Sequence, residues 1–263
     1  MTMFSSNLFE GKVALVSGGT SGIGQATAEY LAQHGARVVA IGLGADATIV
    51  ADGVQLDLRE VNVTDDEALK RVIQSLDRLD ILVPAAGGTL GDKEMEWEAF
   101  NQVLSVQLNA AYRLINLAYP LLSKQGGSII NIASMFSYFG GGKLVAYSAA
   151  KGAIVQITKS LAEAYASDNI RVNAVAPGWI TTPLLAKIDD QPRIDRLLSR
   201  TPMKRFGSAE EVAKVIAFLA SDAASFVNGV VLPVDGGYLT TAICSQHPLT
   251  DAPPWVGALR PLA

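Results

Sequence analysis

The 263-residue chain has a single cysteine, Cys244, and two histidines, His34 and His247. One thiol excludes an internal disulfide, and no Cys-x-x-Cys pair exists to hold zinc. The histidines fall in a helical pattern and in the C-terminal tail, without the partners that a hydrolase triad or an imidazole metal site needs, so no metal is expected. An excess of positive charge is also missing. Lys and Arg number 21 against 25 Asp and Glu, for a net charge of −4. With no dense basic run either, nucleic acid is not an expected partner. No apolar stretch reaches the roughly 18 residues of a membrane span before a charge or a glycine interrupts it. Met1 to Lys12 has no basic segment followed by an apolar one, so no signal peptide is visible. The chain reads as a soluble cytoplasmic protein with no membrane partner.

What is present is 49% hydrophobic residues and 24 glycines. That is too apolar for a disordered chain and too rich in glycine for a helical rod. One α/β domain can fill this length. Apolar runs at 13–16, 37–41, 81–83, 128–132, 170–175 and 230–234 each end at Gly, Pro or Ser. Runs without polar alternation imply strands buried on both faces, as in a parallel sheet covered by helices. Helical patterns lie between them at 23–34, 65–76, 97–122, 147–167 and 209–221. Gly35 would end the first, and Thr64 or Asp65 and Ser208 would cap others. The alternation predicts a single doubly wound, Rossmann-like parallel sheet with helices on both faces. Two segments fall outside it: a polar, proline-punctuated stretch at 181–207, expected as a flap, and an irregular tail at 239–263.

Two clusters carry chemistry. Gly18, Thr20, Ser21, Gly22, Ile23 and Gly24 lie between the first strand and the first helix. Glycines there allow a tight turn and let backbone N–H groups approach a pyrophosphate, with the helix N-terminus adding partial positive charge. Tyr147 and Lys151 are four residues apart, on one face of a helix. An ammonium beside a phenol would lower its pKa and let it exchange a proton with a substrate oxygen. Ser134, after a strand, could hydrogen-bond the same oxygen.

The spacing Gly-x-x-x-Gly-x-Gly at 18–24, Ala86-Gly87, Asn109, Ser134 with Tyr147-Ser148-Ala149-Ala150-Lys151, and Pro177-Gly178 with Thr182 together resemble the short-chain dehydrogenase/reductase family over roughly residues 9–238. The resemblance implies reversible hydride transfer between a nicotinamide cofactor, NAD or NADP, and a secondary alcohol or ketone. It implies a tetrad in which Tyr147 is the general acid/base, Lys151 lowers its pKa and binds the nicotinamide ribose, Ser134 positions the substrate oxygen, and Asn109 holds a proton-relay water. Pro177, Gly178, Ile180 and Thr182 would wrap the nicotinamide end, and Asn62-Val63 would frame adenine, Asn62 offering an acceptor to its amino group. The family also implies a homotetramer or homodimer, and the apolar 97–122 and 147–167 helices suit burial on a second face.

The chain departs from the family twice. Pro84-Ala85 replaces the usual pair of asparagines before Ala86-Gly87, which puts local strand support in question and places Pro84 at a strand end. At the end of the second strand Gly42 and Leu43 stand where NAD-dependent members carry an acid and NADP-dependent members have an arginine nearby. No Lys or Arg lies between Arg37 and Arg59, and Asp46 would repel a 2′-phosphate, which favours NAD. Ser134, Phe136, Tyr138, Trp179 and Leu184 are expected to line an apolar substrate pocket. A hydrophobic or cyclic alcohol or ketone fits it, with sugar-acid and hydroxyacyl substrates open. A non-catalytic dinucleotide sensor is the alternative reading.

Overall fold

The computed structural model describes residues 5–183, 185 and 190–241. Expectations for Leu184, Cys244, His247 and most of the tail lie outside the described residues.

Seven parallel strands form the central sheet: β1 (Val13–Ser17), β2 (Arg37–Gly42), β3 (Asp57–Glu60), β4 (Ile81–Pro84), β5 (Gly127–Ile132), β6 (Ile170–Pro177) and β9 (Val231–Val234), in spatial order β3-β2-β1-β4-β5-β6-β9. The order reverses between β1 and β4, so a crevice opens beyond their C-terminal ends. β3, with sequence Asp-Leu-Arg-Glu, is the strand that the apolar-run criterion misses: it sits at the sheet edge and is half solvated.

Side-chain alternation sends each strand's residues to two separate cores. Ala14, Val16, Val83 and Ile130 pack with α1 (Gly22–Gln33) and α7 (Ala209–Ala220). Leu15, Leu82 and Ile129 pack on the other face with α2 (Asp66–Gln74), α4 (Ala110–Leu122) and the distal part of α5 (Val145–Ala164). Truncating a fully buried leucine such as Leu82 would cost about 2–5 kcal/mol. The caps match their sequence signals. The Asp65 carboxylate accepts from Ala68 N–H, Ser208 and Glu211 form a reciprocal capping box, and Gly35 follows α1 at φ +96°.

The long helix expected at 97–122 is interrupted. α3 (Trp97–Leu104) runs into a π-helical turn at Ser105–Asn109 before α4 begins. The flap segment carries α6 (Gln191–Ser199), and both its ends are pinned by a two-rung parallel ladder between β7 (Ile180–Thr181) and β8 (Gly207–Ser208). Among the described residues no helix is long and apolar enough to cross a membrane.

Candidate active site

The first wall of the crevice is the turn after β1. Gly18 adopts φ +67°, and a Cβ there would stand 2.7 Å from the Ala86 backbone. A Cβ on Gly24 would overlap the Gly18 carbonyl oxygen, so the loop closes only with glycine at both places. Ser21 is the N-cap of α1, yet its side chain makes no capping bond, leaving its hydroxyl and the first-turn N–H groups for a ligand. Gly22 lies against Thr182 from the flap, a Cβ there meeting Thr182 Cγ2 at 3.4 Å. Gly18, Ser21, Gly22, Ile23, Gly24 and Gly87 line the same crevice as Tyr147, Lys151 and Thr182.

The floor is built from the end of β5 and the first turns of α5. Ser134 caps a short 3-10 turn: its Oγ accepts from Phe136 N–H at 3.2 Å, while its own N–H donates to Ser137 Oγ at 3.1 Å. Ser137 in turn donates to the Lys151 carbonyl at 2.8 Å, which ties the Ser134 turn to the catalytic helix. Lys151 is buried, and its Nζ donates to the Ile132 carbonyl at 2.7 Å and lies 5.6 Å from the Tyr147 ring centre. Burial pulls its pKa down to about 7.

The electrostatics of Tyr147 differ from the sequence expectation. The phenol stands above its usual value: burial raises it most, the Ser134 hydrogen bond lowers it, and the charge of Glu94 raises it again. Ser134 is the group that pulls it down, while the Lys151 ammonium is directed at a backbone carbonyl.

Asn109 needs a larger correction. It is exposed and lies beside Ser105 and Arg113 on the outer surface, facing Val63 and Asp66. Gln107 is the amide in the crevice. It is 3% exposed, its Nε2 donates to Gly88 O at 2.5 Å, and its buried Oε1 has no partner. A Cβ on Gly87 would sit 2.6 Å from that oxygen. Helical spacing carries the signal: Gln107 shares a stripe with buried Val103, Ala110, Ala111 and Leu114, whereas Asn109 shares one with Ser105 and Arg113.

The two missing asparagines are compensated locally. Pro84 ends β4 as expected, and pairing with β5 stops at Leu82. Ala85 N–H donates to Ser17 O at 3.0 Å, and Gln107 holds the next turn. At the end of β2, Gly42 has no room for a side chain because Thr20 Oγ1 would stand 2.6 Å from its Cβ; that hydroxyl donates to Leu43 O. Asn62 is not a free acceptor, since its Oδ1 takes the Thr64 N–H and hydroxyl, and Val63 is buried beside it. Pro177 ends β6, and Gly178 packs so closely on Asp235 that a Cβ would lie 2.7 Å from its Cα.

Of the residues expected to line a substrate pocket, Phe136 contacts Tyr147 and Trp179 edge-on at 6.0 and 6.1 Å between ring centres. Phe139 and Tyr238 complete this wall. Tyr238 was not foreseen, because it comes from the far end of the fold. Tyr138 turns away instead: it is half exposed, and its hydroxyl reaches the Val231 carbonyl at 3.5 Å. Ile180 is buried at the start of the flap. No group of three metal-ligating side chains occurs among the described residues.

Comparison with known proteins places this geometry. A family model described as Enoyl-(Acyl carrier protein) reductase matches residues 18–239. The chain is 41% identical over 244 residues to the 3-oxoacyl-(acyl-carrier-protein) reductase of Thermotoga maritima, covering 87% of this chain and 98% of that protein. It is 40% identical over 247 residues to the cis-4-hydroxycyclohexanecarboxylate dehydrogenase of Sinomonas cyclohexanicum, covering 88% and 97%. A solved structure from Agrobacterium tumefaciens, provisionally assigned as a 2-deoxy-D-gluconate 3-dehydrogenase and holding NADP, has a TM-score of 0.83. It is 36% identical to this chain, over 90% of this chain and all of that one.

Proposed function

The chain belongs to the short-chain dehydrogenase/reductase family, and from that premise we propose that its proton chemistry runs through Ser134, Tyr147 and Lys151. It is an NAD(P)-dependent oxidoreductase acting on CH–OH and carbonyl groups. The observation that carries the assignment of residues is the convergence of Lys151 Nζ, the Tyr147 ring and the Ser134 hydroxyl on one crevice wall.

The residues present fit a dinucleotide: glycines 18 and 24 let the loop close tightly on itself and on Ala86 beside the crevice, and the buried Gln107 Oε1 has no partner in the protein. The loop 18–24 would hold the pyrophosphate, Ala86-Gly87 would lie along the adenosine ribose, Lys151 would take the nicotinamide ribose, and Pro177, Gly178, Ile180 and Thr182 would flank the nicotinamide. When bound, the nicotinamide supplies the hydride donor or acceptor. Ser134 donates to the substrate oxygen. Tyr147 gives that oxygen a proton during reduction and removes it during oxidation. Its raised pKa keeps the phenol protonated near neutrality, which suits carbonyl reduction, and alcohol oxidation gains as pH rises. Gln107 takes the positioning role that the family pattern gives to an asparagine.

NAD is the proposed cofactor, with NADP the alternative. Around Gly42 the described charged side chains are acids or engaged bases. Glu60 accepts from Ala45 N–H at 2.8 Å, and Arg59 is paired with Asp57. A 2′-phosphate would meet no unpaired cation among these. The aromatic wall of Phe136, Phe139, Trp179 and Tyr238 favours a hydrophobic or cyclic secondary alcohol or ketone, in keeping with the Sinomonas relative. Residues 9–238 are taken as one catalytic unit. Self-association as a dimer or tetramer is supported by exposed Trp97, Tyr112 and Val145 on the long helices.

The test is a panel of secondary alcohols assayed with NAD and NADP on the wild type and Tyr147→Phe. The variant should lose about 10³-fold in turnover while cofactor affinity is kept. Turnover unchanged by the substitution would overturn the acid/base role of Tyr147, absence of turnover in the wild type across the panel would favour the non-catalytic sensor reading, and faster reaction with NADP would reverse the cofactor preference.

A further inference from the structure

Glu94 is the least exposed charged residue of the chain's described part, at 1%. It lies in the short turn Gly91–Met95, between β4 and α3, within a run of charged residues whose other members reach solvent. Its carboxylate has three partners, all donors. Oε1 accepts from the Thr89 hydroxyl at 2.5 Å and from Leu90 N–H at 3.1 Å, and Oε2 accepts from the Tyr147 N–H at 2.9 Å. An acceptor-only set is what an ionised carboxylate satisfies.

The third bond has a specific cause. α5 begins at Val145, so Tyr147 is its third residue, one of the N–H groups that a helix leaves unpaired. The N-cap residue, Leu144, has no side chain able to cap, and the missing acceptor is supplied from another element by Glu94. A negative charge at that end is also favourable to the helix dipole. One buried side chain therefore joins the loop leaving β4 to the backbone of the residue that moves the proton. A second, exposed pair, Lys143 with Asp92 at 2.7 Å, closes the same two segments from outside.

We propose that Glu94 is a positioning residue for catalysis: it clamps the Thr89–Leu90 loop to the first turn of α5 and so sets both the place of Tyr147 and the charge beside it. This rests on the reading of Tyr147 as the acid/base. Two charged groups lie against Tyr147, Lys151 beside its ring from the same helix and Glu94 at its backbone N–H from the 91–95 turn. The neighbouring elements present Ser134, Phe136, Trp179 and Gln107, which are uncharged. Glu94 raises the phenol, so removing its charge while keeping its shape lowers it.

The experiment compares wild type, Glu94→Gln and Thr89→Val as full chains, using the alcohol found active in the panel. Glu94→Gln should move the basic-group limb of kcat for oxidation to lower pH by about half a unit or more, with cofactor affinity within two-fold of wild type. Thr89→Val removes one of the two bonds that tie the loop to Glu94 but keeps the charge, and should lower kcat several-fold with the limb unmoved. An unshifted limb in Glu94→Gln overturns the electrostatic half of the proposal. Unchanged kcat in Thr89→Val overturns the clamp, and this holds even if Glu94→Gln does not fold. Failure of the underlying reading is separate: it shows as undiminished turnover in Tyr147→Phe.

Discussion

The floor of the crevice and its rim are built from different physics. On the floor, Ser134, Ser137, Lys151, Gln107 and Glu94 are polar groups held by short hydrogen bonds to backbone. Around the rim, Phe136, Phe139, Trp179 and Tyr238 meet through ring contacts, and the ends of the flap are joined by a two-rung ladder. Buried polar groups are costly when unpaired, so each floor residue is fixed by its neighbours in one arrangement. Ring contacts are non-directional by comparison and tolerate reshaping. The floor can therefore hold a proton donor to within a fraction of an ångström, whereas the rim is where substrate shape can be selected.

That contrast can be broken most severely at the glycine loop. Gly24→Ala would drive a methyl group into the Gly18 carbonyl, and backbone cannot yield as a side chain does. Apparent cofactor affinity should fall by about 100-fold, read by calorimetry. The same affinity after Gly24→Ala would mean that the loop does not grip the dinucleotide.

A sharper comparison sets two amides two residues apart. Gln107→Leu leaves the Gly88 carbonyl unpaired on the floor, at about 1–3 kcal/mol, and should reduce kcat by about ten-fold or more. Asn109→Ala, on the outer surface, should leave kcat unchanged. Steady-state kinetics on the pair decides it, and the reverse ranking would return Asn109 to the site.

The smallest effect lies away from both regions. Ser208→Ala removes the α7 cap, and should cost about 1 kcal/mol, or roughly 2–4 °C in Tm, without altering kcat. A change in kcat would show that the flap's anchoring strand β8, which Ser208 also ends, is coupled to turnover.

Much of the fold is legible without coordinates. Six strands of the sheet announce themselves as largely apolar runs, five of them because both faces are buried while β9 lies at the other edge and is only partly buried, and Asp65, Ser208 and Gly35 mark helix ends by their own chemistry. β3 is not legible that way, since an edge strand needs no apolar face. The π-helical turn at 105–109 is invisible for a related reason: nothing in the side chains names it. The Ser134, Tyr147 and Lys151 set follows from spacing along a helix and from its resemblance to a family. Gln107 required attention to which helical stripe is buried, and Glu94 stands in a run of charges that looks solvated.

The sequence by itself determined the alternation of strands and helices, the glycine turn and the spacing of the phenol and the lysine, because these are short-range consequences of periodicity and steric freedom. The tertiary structure alone decided which amide enters the crevice, which carboxylate caps the catalytic helix, and whether the lysine lowers the phenol. Each of these depends on desolvation and on partners from distant segments, and burial is a property of the assembled chain, not of any stretch of it.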